Sequence, residues 1–252
     1  MTVPYPCYVS PLNPRETHLR SCCCNHRPIA PTGAGGLSTR KVDQVTLLTQ
    51  NIKDSFSKKK KAGAVFVDLT AAYNTVWHRG LTCKLLQLLP DRHMVHMIME
   101  MVGNRSFTFT TGNSKRSRLR RLKNSVPQGS VLTSLLFNIF ISDLPTTVSK
   151  KYAYTDDQAI MHADGDWQVE EGVRTKDLAT VSEYLQTWKL KLSTTKAVSA
   201  VFHLNNKEVK RELKVNFNNE TLPFFSEPKY VAVTLDRSLT YRRHLESLRK
   251  RS

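Results

Sequence analysis

The sequence predicts an α+β fold on three observations. Apolar runs and amphipathic stretches mix without the regular alternation of a doubly wound sheet, a Val- and Phe-rich run closes on an acid at Asp68, and the tail beyond Val198 alternates as strands. The 252 residues give ample length for a core, as one large domain or two small ones. Apolar residues make up 40% and charged residues 23%, a globular rather than a wholly disordered composition.

Taken in order, residues 1–40 hold six of the eleven prolines, plus Gly33, Gly35 and Gly36, with no sustained apolar period. They read as a poorly ordered leader. Val42, Val45, Leu48 and Ile52 then share one helical face, and Lys58–Lys61 make a solvated turn. Ala62–Leu69 is a short buried strand; a helical stretch follows it, and another covers Arg92–Val102. The methionines at 94, 97, 99 and 101 read as packing. Ser106–Thr111 and Arg116–Lys123 look like two strands joined by Gly112-Asn113. Apolar positions 132, 135, 136, 139 and 140 predict a mostly buried helix within Leu132–Leu144. Tyr152–Tyr154 and Ala159–Met161 are short strands around a tight polar turn, and Leu178, Val181, Tyr184, Leu185 and Trp188 form an amphipathic helix. Ala200–Leu204, Leu213–Phe217 and Tyr230–Leu235 complete the strands.

Lys plus Arg is 38 against 21 for Asp plus Glu, a net charge of +17, which favours a polyanionic partner and nucleic acid above all. No apolar run reaches the roughly 18–20 residues of a membrane span, and no basic start followed by an apolar stretch marks a secretory signal. An odd set of five cysteines, three of them consecutive, is no disulfide framework. The expectation is an intracellular, reducing location, nucleus or cytoplasm unresolved, with no membrane partner. Cys22–Cys24 with His26 make a poor zinc site, since three adjacent cysteines do not easily face one ion.

Two places put carboxylates where a buried strand ends: Asp68 after Ala64–Val67, and Asp156-Asp157 at a hairpin tip. Clustered carboxylates repel unless cations neutralise them, and hard oxygen donors suit Mg²⁺. In a basic protein the matching chemistry is phosphoryl or nucleotidyl transfer, with two ions about 4 Å apart serving the attacking and leaving oxygens. An Asp-Asp pair by itself also reads as a simple turn. Lys115, Arg116, Arg118, Arg120, Arg121 and Lys123 place six cations in nine residues. That stretch reads either as a phosphate-backbone contact or as a charged edge strand protected against aggregation.

The words around these acids resemble the reverse transcriptases of non-LTR, Jockey-like retrotransposons. Phe66–His78 (FVDLTAAYNTVWH) is similar to their motif A, and Val126–Leu132 with Leu135–Pro145 to motif B. Tyr154-Thr155-Asp156-Asp157 resembles motif C, Trp188–Leu192 with Lys196 motif D, and Pro228–Asp236 the motif E region. The resemblance implies a polymerase palm, an antiparallel sheet backed by helices, with partial fingers and a thumb nearly absent. It divides the chain into the leader over 1–40, the palm over 41–205, and motif E-like strands with the start of the thumb over 206–252. It implies RNA-directed DNA synthesis from dNTPs on an RNA template and a DNA primer, with two Mg²⁺; oligomeric state is left open. Asp68, Asp156 and Asp157 would be the metal-binding catalytic acids, and Lys196 a general acid for the departing pyrophosphate. Tyr73 would be the aromatic gate against a ribose 2′-OH, though a large aromatic is also an ordinary core residue. Gln128 and Gly129 would lie against template and incoming nucleotide.

Departures from the pattern fall close to these residues. Asn74 follows Tyr73 where an acid is usual, Ser125 and Ala232 stand where glycine is usual, and Thr155 replaces alanine. Thr133-Ser134 lacks the proline that begins the helix, although Ser or Thr can cap it. Ser193 and Ala197 replace Asn and Thr near Lys196, and the Gly-Phe-Arg of the fingers, upstream of Asp43-Gln44, is unmatched. The chain therefore reads as a fragment of such a polymerase. The alternative is a catalytically silent relic that at most binds RNA or DNA.

Overall fold

The computed structural model describes residues 41–110, 112, 116–208, 210–217 and 220–250. The expected leader, with Cys22–Cys24 and His26, and Lys115 of the basic stretch lie outside them. In chain order the elements are α1 (Lys41–Ser57), β1 (Lys61–Asp68), α2 (Ala72–Thr75), α3 (His78–Leu88), α4 (Arg92–Gly103), β2 (Ser106–Phe107), β3 (Arg120–Arg121), α5 (Val131–Phe140), β4 (Lys150–Tyr154), β5 (Asp157–Asp164), α6 (Trp167–Thr187), β6 (Val198–Phe202), β7 (Asn216–Phe217), β8 (Glu220–Thr221), β9 (Lys229–Tyr230), β10 (Val233–Thr234) and α7 (Arg242–Arg249).

Strands β4, β5, β1 and β6 form one antiparallel sheet in that order. Because side chains alternate along a strand, β1 feeds two cores. Val65 and Val67 pack with Ile160 and Val201 under α3–α6, while Ala64 and Phe66 pack with Met161 and Phe202 under α1 and the β9–β10 hairpin. Burial on both faces explains why Ala62–Val67 reads as a continuous apolar run rather than an alternating one.

Two buried polar ties hold the helices to this frame. The Lys84 ammonium on α3 donates to the Phe140 carbonyl and to Asp143 beyond α5, and at 2.7 Å to the Tyr184 hydroxyl on α6. Burial lowers Lys84 to about 8, with Asp143 opposing. Under α6, the fully buried Arg174 pairs with Glu170, whose other oxygen lies 3.0 Å from His162 Nδ1. Gly63 makes room for this guanidinium: a Cβ there would lie 2.4 Å from both terminal nitrogens of Arg174.

The structure shifts several expected elements. Val42 is 72% exposed, but Val45, Leu48 and Ile52 of the expected face do meet the core, joined by the buried Gln44, Thr49 and Ser55 of α1. Helix α5 begins earlier, with the Ser130 side chain capping the Leu132 amide at 3.3 Å, and stops at Phe140. Its buried stripe is Thr133, Leu136, Phe137 and Phe140, so Leu132 and Leu135 face outward. Met99 packs on the core, whereas Met94, Met97 and Met101 are exposed because α4 buries only Val95 and Val102. Among the described residues, Ser106–Thr110 and Arg116–Lys123 pair as a hairpin through β2–β3 and one bridge between Thr110 and Arg116; Thr111 and Asn113 lie outside the described residues.

Tyr230–Leu235 is a hairpin rather than one strand. Val231 (φ 48°) and Ala232 (φ 67°) form the turn between β9 and β10. Positive φ at both central residues is the two-residue turn that glycine and asparagine favour. The one sign of it in the sequence is that Ala232 stands where the resembled family usually has glycine.

Candidate active site

β1 and β5 run antiparallel, so the last residue of one faces the first of the other: Asp68 and Asp157 are register partners. Tyr154 pairs with Asp157 across the β4–β5 turn, which leaves Thr155 and Asp156 at its tip. The Leu69 amide donates to the Asp156 carbonyl at 3.2 Å and stitches the tip to the end of β1. Beyond β1, the Thr70 amide donates to the Lys191 carbonyl at 2.9 Å and the Ser193 amide to the Asp68 carbonyl at 2.8 Å. These bonds bring the motif D segment alongside Asp68, and the Lys196 ammonium reaches Asp68 Oδ2 at 2.6 Å. Asp68, Asp156, Asp157 and Lys196, separate in sequence, thus meet at one end of the sheet.

The acids press on one another. Burial pushes the Asp157 carboxyl up to about 6; repulsion from Asp156 and Asp68 adds to this, and Lys41 and Lys196 oppose it. The bond to Asp68 holds the Lys196 ammonium above its ordinary value. Thr155 sits at φ 52°, a backbone region that a β-branched residue occupies under strain, and its hydroxyl donates to Asp156 at 2.7 Å.

Among the described residues no three His, Cys, Asp or Glu side chains converge as a ready metal cage. The donor chemistry nonetheless fits a hard divalent cation, because the crowding that raises the Asp157 carboxyl is relieved by positive charge, and carboxylate oxygens are hard donors. At this sheet end Lys196 supplies such a charge to Asp68.

Motifs A and B are laced together by their backbones. Val126 N–H donates to the Tyr73 carbonyl at 2.9 Å and Ser125 N–H to the Val76 carbonyl at 3.0 Å. Gln128 Nε2 donates to Asn74 Oδ1 at 3.2 Å. The Tyr73 ring, on α2, is half-buried and packs edge-on against Phe137 of α5, with centroids 5.2 Å apart. Gly129 has φ 88° and open space around its missing Cβ, so the turn requires glycine while the packing does not. Ser125, at φ 92°, keeps a glycine-like conformation and is held by Arg105, which donates to its carbonyl at 2.8 Å and its hydroxyl at 2.7 Å.

Arg116, Arg118, Arg120, Arg121 and Lys123 are all exposed. Arg121 and Lys123 join Asn74, Arg105 and Gln128 around an open groove of about 520 Å³. Phe107 and Phe109 stack edge-on at 5.0 Å on the same arm, and Phe109 is 61% exposed.

Sequence reasoning misses two neighbours of the acids. Lys41, at the start of α1, places its ammonium 5.8 Å from the Tyr154 ring centroid. Nothing in a lysine at a helix start signals this. Tyr230 is fully buried beside the site, its hydroxyl pushed up by burial and by Asp157. Its place in the motif E region is the available signal.

Residues 25–222 match the family model for reverse transcriptase (RNA-dependent DNA polymerase). The chain is 30% identical over 219 residues to the "Probable RNA-directed DNA polymerase from transposon BS" of Drosophila melanogaster, covering 83% of this chain and 24% of that protein. It is 29% identical over 204 residues to the RNA-directed DNA polymerase from mobile element jockey of Drosophila funebris, covering 77% and 22%. The chain thus spans about a quarter of the length of the curated relatives it matches. Among solved structures, the apo telomerase of Candida tropicalis truncated from its C-terminal domain superposes with a TM-score of 0.55 at 11% identity, over 79% of this chain and 39% of that one. That likeness shows a shared palm-type fold. No helix among the described residues is long and apolar enough to cross a membrane. With the family's motifs folded onto a palm-type sheet, the chain belongs to the reverse transcriptase (RNA-dependent DNA polymerase) family, in its jockey-like, mobile-element branch.

Proposed function

We propose that this chain is the catalytic palm of an RNA-directed DNA polymerase, extending a DNA primer on an RNA template. The observation that carries the reading is the register of β1 against β5, which sets Asp68 opposite Asp157 with Asp156 at the adjoining turn. Residues 41–205 act as palm with partial fingers, and 206–252 as motif E strands with the start of a thumb.

Asp68 and Asp156 would hold divalent cations, with Asp157 the third acid. Bound there, the cations would supply charge neutralisation and a more acidic primer hydroxyl. The reaction forms a bond between the primer O3′ and the dNTP α-phosphorus and breaks the bond from that phosphorus to the bridging oxygen of the pyrophosphate. The O3′ proton is released, and the Lys196 ammonium, 69% exposed beside Asp68, gives a proton to the leaving pyrophosphate. Tyr73 flanks the sugar of the incoming nucleotide. Gln128, Gly129 and the basic groove around Arg121 and Lys123 carry the template, where cations and the exposed Phe109 suit phosphates and bases.

Primer extension on an RNA template with dNTPs and Mg²⁺ tests the reading. Wild-type synthesis that Asp156→Asn abolishes is expected. Folded wild-type protein that binds template but adds no nucleotide would overturn it in favour of a silent, nucleic-acid-binding relic.

A further inference from the structure

The sheet end opposite the acids gathers cations. Lys61 opens β1 there, seven residues before Asp68, which at about 3.3 Å per residue is about 23 Å away. Its ammonium lies 2.9 Å from Glu208 and 5.1 Å from the Trp167 ring centroid, and the Arg211 guanidinium lies 5.9 Å from the same ring. Arg237 donates to the carbonyls of His203 at 2.9 Å and Asn205 at 3.3 Å. Around this nucleus stand the exposed Lys58, Lys59, Lys60, Lys207 and Lys210, none of which forms an ion pair among the described residues.

Most acids of this end are already committed. Glu208 takes Lys61 and the Trp167 indole N–H, and Glu171 takes Arg211 at 3.0 Å. Asp164 accepts from the amides of Gly165 and Asp166, Asp166 caps α6, and Glu170 is buried against Arg174. Lys60 also acts on Asp164, and the exposed Asp54 and Glu212 lie close in sequence. None of these acids comes within ion-pair distance of the five outer lysines, so this face keeps an excess of positive charge.

The ordinary account of lysines after a helix is the macrodipole, and it covers part of this run. The chain leaves α1 through bonds from Lys59 N–H to the Phe56 carbonyl and Lys60 N–H to the Ser55 carbonyl, both 2.9 Å. Lys59 takes the left-handed position of that turn, at φ 54°, where glycine fits with less strain. A lysine in the glycine position, flanked by two more, exceeds what a helix end needs.

We propose that this face, formed by Lys58–Lys60 with Lys207 and Lys210, is a second nucleic-acid contact that holds a phosphate backbone about 23 Å from the catalytic acids. It rests on the reading that nucleic acid is the substrate and requires no nucleotidyl transfer by the chain.

The test measures binding of a 30-nucleotide single-stranded RNA by the full chain as a function of salt. The Lys58→Gln/Lys59→Gln/Lys60→Gln variant should lose about 2 from the slope of log K against log salt, from three lost phosphate contacts on a single strand. A control variant, Arg79→Gln/Arg92→Gln/Lys176→Gln, removes the same charge from exposed positions on α3, α4 and α6. It should keep the wild-type slope. Lys207→Gln/Lys210→Gln gives an independent arm and should lower the slope by about 1.4. Unchanged slopes in both patch variants, with wild-type melting, would overturn the proposal. So would an equal loss in the control, which would make the effect one of net charge alone. Because binding is read directly, the outcome at this face is the same whether or not the chain makes DNA.

Discussion

The two ends of the central sheet are built from the same strands and could hardly differ more. At the start of β1, the acids have partners: Glu170 with Arg174 and His162, Glu208 with Lys61 and Trp167, Glu171 with Arg211. At the end of β1, Asp68 and Asp157 are brought face to face and Asp156 adjoins them. Among the described residues only the exposed Lys196 is paired to Asp68 and the Thr155 hydroxyl to Asp156, while Thr155 holds a strained φ of 52° at the turn. One end is arranged for stability and the other against it. Clustered like charges and strained backbone persist where surrounding packing imposes them, and here the buried strands β1 and β5 do so.

The comparison predicts opposite consequences for substitutions at the two ends. The largest effect is on activity at the acid end: Asp156→Asn should reduce primer extension by roughly 10³-fold while leaving the melting temperature at or above that of wild type. The next is on stability at the other end. Gly63→Ala drives a methyl into the Arg174 guanidinium and should cost about 3 kcal/mol in a denaturant melt. A wild-type melt for this variant would mean that the Arg174–Glu170 tie is not the anchor.

Asp157 gives the comparison a pH signature. Its folded value of about 6 lies above the ordinary 3.8, so between those pH values the folded chain keeps a proton that the unfolded chain releases. Stability contributed by that proton is present at low pH and lost as pH rises through about 6. Asp157→Asn should therefore stabilise the fold at pH 7.5, by about 1 kcal/mol after screening at this partly exposed group, and leave it nearly unchanged at pH 4. Equal effects at both pH values would remove charge repulsion as the cause.

The smallest effects concern turns near the acid end. Ala232→Gly should stabilise by about 0.5–1 kcal/mol, because the turn already holds a positive φ. Ser125→Gly should gain less, since it gives up the hydroxyl bond to Arg105.

These turns also mark where the sequence is hardest to read. The strand ending at Asp68 is legible because a doubly buried run of Val and Phe has few other homes, and the acids are legible because two such strand ends carry them. The β9–β10 hairpin reads as one strand because Tyr230–Val233 is an unbroken apolar run with no Gly or Asn to announce positive φ. Helix α5 reads as mostly buried because its apolar residues cover more than one face, whereas burial selects only the Thr133, Leu136, Phe137 and Phe140 stripe. Helix α7 is short, with only Leu245 and Leu248 as apolar residues and none of its residues buried. Lys58–Lys61 reads as a solvated turn, correct for Lys58–Lys60, but Lys61 opens β1, and only the fold reveals which other cations share that end.

Equilibrium binding of Mn²⁺, followed by the loss of its free paramagnetic resonance signal, tests the central claim most directly. The account predicts that the wild-type chain takes up Mn²⁺, and that Asp68→Asn and Asp156→Asn each lose that uptake while melting no lower than wild type. Undiminished Mn²⁺ binding in both variants would contradict it.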